Sequence, residues 1–180
     1  NLRTALAAWL FARSEGSAFL LCCDGLDRAP LRAEHYESQM ADLTALGLDW
    51  DGAPVRQTER RVLYQDALDR LTDAGHTYRC YCTRREIQQA VSAPNGPPAL
   101  GIYPGTCRRL TAGERAQREA EGRRWALRLR GPEFEVRYHD LLCGAGSSTV
   151  DDVVLCRNDG VPAYNLAVVV DDTAQGVQLA

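Results

Sequence analysis

"TYRCYCTRREI", residues 77–87, marks the point where the texture of the chain changes. Before it, helical and extended patterns alternate. Leu2, Leu6, Trp9, Leu10 and Arg13 recur at helical spacing, and SAFLLCC (17–23) reads as a short strand. Tyr36, Met40, Leu43 and Leu46 share one face of a helix closed by Gly47. Leu63, Ala67, Leu68 and Leu71 mark another, with Thr58 as its expected cap and Gly75 at its end. Alternating helix and strand with short links favours an α/β body.

From Thr77 onward TYRCYC reads as a strand, and Thr83 with Glu86 forms a capping box that opens a short helix. SAPNGPPALGIYPG (92–105) is a loop dense in Pro and Gly. Thr111 with Glu114 opens a second short helix ending near Gly122. WALRLR (125–130) and FEVRY (134–138) alternate apolar and polar residues around Gly131–Pro132, which predicts a two-stranded hairpin. Residues 77–138 therefore read as an insertion in an α/β body formed by 1–76 and 139–180. PAYNLAVVVDD (162–172) stays ambiguous on its own: three consecutive valines favour a strand, but the run is too short for periodicity to settle.

With 45% hydrophobic and 25% charged residues in 180, the composition is that of a globular protein, expected to be one domain with an insertion. No apolar run approaches the roughly 20 residues a membrane span needs, so no membrane partner is expected. The amphipathic start, NLRTALAAWLFAR, has neither a basic lead nor a small-residue cleavage site. It also has no initiator Met, so the chain is expected to begin inside a larger reading frame. With no export signal read, a cytoplasmic setting where thiols stay reduced is expected, and seven cysteines, an odd number, also argue against a disulfide framework.

All 21 basic residues are Arg. Between Arg79 and Arg137 there are 12 Arg against 6 Glu and no Asp, a local charge of +6 in a chain of net charge −3. A basic segment in an acidic body suggests an anionic partner such as nucleic acid; a solvated arginine-rich face is the plainer alternative.

On an extended strand Cys80 and Cys82 point to the same side, and Cys107 follows the Pro/Gly loop. Two thiolates on one side can form an edge of a tetrahedral zinc site, with Cys107 as a third ligand. A fourth is missing among the usual choices, since His76 and His139 lie at a distance and Tyr103 is the nearest oxygen. The neighbouring arginines are expected to lower the thiol pKa values. The residues alone leave a metal site, buried free thiols and redox chemistry open; a disulfide between Cys80 and Cys82 is sterically poor.

The order of motifs then becomes informative. NLRTALAAWLFAR, LDRAPLRAEH, ALGLDWDG, RQTER, CYCTRREI, YPGTCR and DGVPAYNLAVVVDDTAQGV run through the chain in sequence. In this the chain resembles the class I glutamyl-tRNA synthetase family, and within it the glutamyl-Q tRNA(Asp) synthetase branch, toward which LAVVVDD followed by QGV leans. The resemblance implies a Rossmann-like parallel sheet with a zinc-bearing insertion, zinc held by Cys80, Cys82, Tyr103 and Cys107, and a helix rather than a strand through the valines. It also implies glutamate activation by ATP with magnesium and transfer of glutamate to queuosine in the anticodon of tRNA(Asp), by a protein favoured to be a monomer. An ordinary synthetase would load the 3′ end of tRNA(Glu) and would need that tRNA for activation.

The family's two ATP-handling signatures, of the HIGH and KMSKS types, are expected before Asn1 and beyond Ala180, so no catalytic residue is assigned within the chain and the stretch as given is not expected to complete the reaction. Tyr164 matches a residue lining the glutamate site. The family's Arg-x-Glu-Asp element reads Cys22-Cys23-Asp24-Gly25 here, so Asp24 keeps a carboxylate one methylene shorter, Cys22 loses the forked cation, Gly25 loses a carboxylate, and Asp27 is retained. Asp24 is the expected contact for the ammonium group of glutamate. This departure keeps two other readings open, a cut-short ordinary glutamyl-tRNA synthetase and a non-catalytic, zinc-stapled tRNA-binding paralogue.

Overall fold

Positive-φ glycines punctuate the helices in the computed structural model, which describes residues 2–26, 33–91, 103–131 and 135–178. The chain divides into two units, Asn1–Arg61 and Val62–Ala180. Asp27 and most of the Pro/Gly loop, 92–102, lie outside the described residues.

The first unit holds helix α1 (Leu2–Ser14), strand β1 (Cys22–Cys23), helix α2 (Ala33–Ala45), strand β2 (Val55–Arg56) and a 3₁₀ turn at Gln57–Glu59. β1 and β2 pair in parallel, Cys22 opposite Val55 and Cys23 opposite Arg56. The strand expected over 17–23 is thus reduced to its last two residues. Cys23, Leu26, Tyr36, Leu43 and Leu48 form the buried apolar set, with the Arg56 guanidinium 5.4 Å from the Tyr36 ring centre. Leu46, placed by its spacing on the inner face of α2, is 59% exposed because the helix ends at Ala45 and turns at Gly47 (φ +76). Trp9 Nε1 donates to Asp49 Oδ1 at 2.7 Å, and Arg13 binds Asp51 at 2.7 Å, so α1 is joined to the turn before β2 by polar contacts while Leu2, Leu6 and Leu10 remain exposed.

The second unit opens with α3 (Arg61–Asp73), followed by β3 (Thr77–Cys80), α4 (Arg84–Val91), α5 (Ala112–Ala120), β4 (Ala126–Leu129), β5 (Glu135–Asp140), β6 (Gly144–Thr149), β7 (Val154–Cys156) and α6 (Tyr164–Gln175). Thr58 does not cap α3, since the intervening 3₁₀ turn places the helix start three residues later. β3, β4 and β7 form one antiparallel sheet. β5 pairs instead with β6, in register from Glu135 opposite Thr149 to Asp140 opposite Gly144. The hairpin expected between 125–130 and 134–138 is therefore wrong. Alternation identified both strands, but β4 is claimed on both sides by β3 and β7, which leaves it no free edge for β5.

The valines of 168–170 are helical, as the resemblance implied. Leu166, Ala167 and Asp171 are the buried residues of α6, a helical spacing that a strand could not present on one face. Ala163, extended at φ −79 and ψ 152, starts the helix, and Gly176 ends it at φ +68. Tyr64 Oη donates to Asp171 at 2.7 Å, joining the buried sides of α3 and α6. Burial of that side overrides the modest helix preference of valine.

Leu68, also on α3, is buried at 3% exposure. Leu68→Ala is expected to destabilise the second unit by about 2–5 kcal/mol, read as a lower urea midpoint with an unchanged slope.

Candidate metal centre

Cys80 is the last residue of β3, and the next two residues bring Tyr81 and Cys82 out of the sheet. The turn into α4 is closed by its cap. Thr83 N donates to Glu86 Oε2 at 2.6 Å and Glu86 N to Thr83 Oγ1 at 3.2 Å, the reciprocal bonds predicted from sequence. The other half comes from Tyr103 to Cys107, where Gly105 (φ +74) reverses the chain and Cys107 N donates to Tyr103 Oη at 3.0 Å.

The two halves meet. Cys80 Sγ lies 3.2 Å from Tyr103 Oη, Cys82 Sγ lies 3.5 Å from the same oxygen and 3.5 Å from Cys107 Sγ, and the three sulfurs all fall within 4.8 Å of one another. Tetrahedral zinc with bonds of about 2.3 Å to sulfur and about 2.0 Å to oxygen requires ligand–ligand edges of about 3.5–3.8 Å. The cluster is already near that size. Tyr81 N aims at Cys107 Sγ from 3.5 Å, the backbone donation a thiolate attracts. Cys80, Tyr103 and Cys107 are buried at 2%, 6% and 2% exposure, within an apolar shell that includes Tyr78, Tyr81, Ile87 and Leu110. All seven cysteines are free thiols.

The electrostatics suit a cation. The Cys80 thiol is pulled far down, first by its hydrogen bond with Cys107, while Cys82 is pushed up by the same neighbours and Tyr103 is pushed up chiefly by burial. One thiolate thus suppresses the next, and a positive ion among them would remove that penalty. The arginines expected to lower the thiols are not the leading cause: the lowering of Cys80 comes from the adjoining thiols and phenol. The residues present therefore fit a divalent metal with thiolate preference.

Around the cluster is a polar layer that spacing did not reveal. Arg128, 8% exposed, lays its guanidinium 3.8 Å from the Tyr103 ring centre. Asp151 accepts from Tyr103 N at 3.1 Å, and Arg123 reaches Tyr81 O at 3.4 Å and Glu86 at 2.7 Å. Asp152 accepts from Tyr78 Oη at 2.6 Å, from Arg108 at 2.9 Å and from Gly131 N at 2.7 Å. Local spacing gave no sign of the acidic pair at 151–152, whose partners lie up to 74 residues away.

The remaining expected site residues are placed separately. Asp24 follows β1 in the first unit and is exposed. Tyr164 is the first residue of α6 in the second unit and is 61% exposed. The Cys23 thiol between Cys22 and Asp24 is raised, mainly by burial.

Residues 1–178 match the family described as tRNA synthetases class I (E and Q), catalytic domain. The chain belongs to that family of ligases. It is 59% identical over 177 residues to a glutamyl-Q tRNA(Asp) synthetase from Nocardia farcinica, covering 98% of this chain and 56% of that protein. It is 40% identical over 189 residues to a glutamate–tRNA ligase from Symbiobacterium thermophilum, covering 98% of this chain and 39% of the ligase. A glutamate tRNA ligase from Elizabethkingia meningosepticum, solved in complex with its amino acid, superposes with a TM-score of 0.76 at 26% identity over 98% of this chain and 39% of that one. The class I synthetase fold expected from the motifs is thus shown. The chain spans about half the length of the curated glutamyl-Q relatives it matches. No helix among the described residues is long and apolar enough to cross a membrane.

Glu86 titrates at about 2 rather than 4.5, first because Thr83 N–H binds its carboxylate and next because Arg123 does. Its folded pKa lies below the unfolded one, so the stability it contributes is present above the ordinary carboxylate range and is lost as pH falls toward 2. Glu86→Gln is expected to flatten that part of the acid-stability curve, measured by urea midpoints at about pH 5 and about pH 3; with Glu86 39% exposed, screening keeps the change small.

Proposed function

We propose that this chain is part of a ligase that activates glutamate with ATP and transfers it to queuosine in the anticodon of tRNA(Asp). One observation carries the reading. Identity to the glutamyl-Q relative from Nocardia farcinica is 59%, against 40% for a glutamate–tRNA ligase, over the same 98% of the chain.

Adenylate formation asks for alignment of the glutamate carboxylate with the α-phosphate of ATP and for stabilisation of charge on departing pyrophosphate. In this proposal magnesium accompanies ATP, Asp24 offers a carboxylate to the glutamate ammonium group, and Tyr164 lines the substrate's side chain. Zinc is the proposed metal, held by Cys80, Cys82, Tyr103 and Cys107. Its role is to cross-link residues 80–82 to 103–107, a stretch rich in turns with a small apolar core of its own. The proposed setting is cytoplasmic and the protein monomeric.

The RNA is proposed to meet the arginine-bearing face. Arg79, Arg108 and Arg123 are engaged by Glu119, Asp152 and Glu86, so phosphate contact falls to exposed residues such as Arg84, Arg85, Arg109, Arg115 and Arg124. Binding through them weakens steeply with salt.

The Cys22-Cys23-Asp24-Gly25 stretch supports a second reading, a zinc-stapled tRNA-binding paralogue without catalysis. Glutamate-dependent ATP–pyrophosphate exchange by the complete protein in the absence of tRNA decides between them. The expected result is exchange, lowered by Asp24→Ala through weaker glutamate binding; unchanged glutamate affinity removes Asp24 from its assigned role. Exchange that appears only with tRNA(Glu) identifies an ordinary synthetase, and none under either condition favours the paralogue.

The metal is tested separately. Elemental analysis is expected to find one zinc per chain, and Cys80→Ser or Cys107→Ser is expected to lose most of it and to lower the thermal midpoint. A metal-free wild-type protein with full stability would overturn the assignment.

A further inference from the structure

Asp152 is 5% exposed, and no part of the proposed glutamate chemistry uses it. Burying a carboxylate is costly unless several donors replace water, and here three do, each from a different piece of chain. Oδ2 accepts from the phenol of Tyr78, two residues before Cys80 on β3. Oδ1 accepts from Arg108, the residue directly after Cys107, and from the backbone N–H of Gly131 beyond β4. The Arg108 fork is completed by its second nitrogen, 2.9 Å from Gly131 O.

The backbone of the same segment reaches the fourth donor of the cluster. The Asp152 carbonyl accepts from Arg128, whose guanidinium stacks on the Tyr103 ring at 3.8 Å. Asp151 takes the Tyr103 N–H directly and also receives Asp152 N at 2.7 Å. Gly131 is required by this packing. A Cβ there would stand 2.5 Å from Val150 O and 3.0 Å from Asp152 Oδ1, so the N–H reaches the carboxylate only because no side chain intervenes.

We propose that Asp152 is the positioning residue of the metal centre, holding the segment of Cys80 and Cys82 at a fixed distance from the segment of Tyr103 and Cys107. The proposal rests on the reading of that cluster as a metal site. Ligands from two separated segments bind more tightly when the distance between them is set before the ion arrives, because less ordering is left for binding to supply. The links from Asp152 to Tyr78 and Arg108 set it, one beside each pair of ligands. Loss of such outer contacts typically weakens metal binding about 10–100-fold.

The test uses the complete protein, with zinc affinity measured by competition against a chromophoric chelator and ligand geometry by the visible spectrum after cobalt substitution. Asp152→Asn keeps the shape but withdraws the charge that holds Arg108. It is expected to weaken zinc binding by about 10–100-fold and to alter the cobalt bands. Arg108→Met, at a side chain 25% exposed, removes one link and is expected to give a smaller loss in the same direction. A merely structural aspartate would lower the thermal midpoint of both variants while leaving zinc affinity and the cobalt spectrum at wild-type values, and that result overturns the proposal. If Asp152→Asn does not fold, Arg108→Met decides by the same criterion. Wild-type protein that binds no zinc overturns the metal reading and this proposal together, whereas wild-type binding with unchanged variants removes Asp152 alone.

Discussion

Three thiols and a phenol converge in the second unit, with contacts of 3.2–3.5 Å from Tyr103 Oη to Cys80 and Cys82 and between Cys82 and Cys107. The apolar residues near them are few, with Tyr78, Tyr81, Ile87 and Leu110 making most of the shell. Such a group has little apolar area to bury, and small folds in that circumstance are commonly stabilised by cross-links or metals. The strand end at Cys80, the capping box at Thr83 and Glu86 and the reversal at Gly105 all act to bring donor atoms to one place.

That convergence is held from outside by charged groups. Arg128 against the Tyr103 ring, Asp151 on its N–H and the donors around Asp152 form a layer whose members come from β3, β4, the Arg108 turn and the approach to β7. The arrangement also reinterprets the arginine-rich composition. Part of the local charge of +6 serves internal ion pairs, through Arg79, Arg108 and Arg123. The layer joins the cysteine–tyrosine cluster to the sheet of β3, β4 and β7, and through β7 and the bridge from Cys156 to Pro162 to the start of α6, where Tyr164 sits.

Much of the local structure was legible because its causes are local. Capping boxes at Thr83 and Thr111 need only four residues, and both formed as expected. The three α-helices of the first 75 residues formed where spacing placed them, but spacing misjudged their buried faces, since Leu2, Leu6, Leu10, Leu46 and Leu63 are exposed, and Thr58 lost its capping role to a 3₁₀ turn. Hairpin pairing was not legible. The strands 126–129 and 135–140 were identified, but partners are chosen by edges available in three dimensions, and β4 was already flanked by β3 and β7. The valines of α6 show the same limit, since side-chain preference favoured extension while a buried face of Leu166, Ala167 and Asp171 required a helix.

The sequence by itself determined the family and the α/β class and pointed to Cys80, Cys82 and Cys107 as a group, because ordered motifs and residue chemistry survive without coordinates. Only the tertiary structure decided that those donors meet, which strands pair, and that Asp151, Asp152, Arg108 and Arg128 surround the centre. The physical reason is separation along the chain. Tyr78 and Asp152 lie 74 residues apart, and nothing in local propensity couples them until the sheet has formed and the buried carboxylate must find its donors.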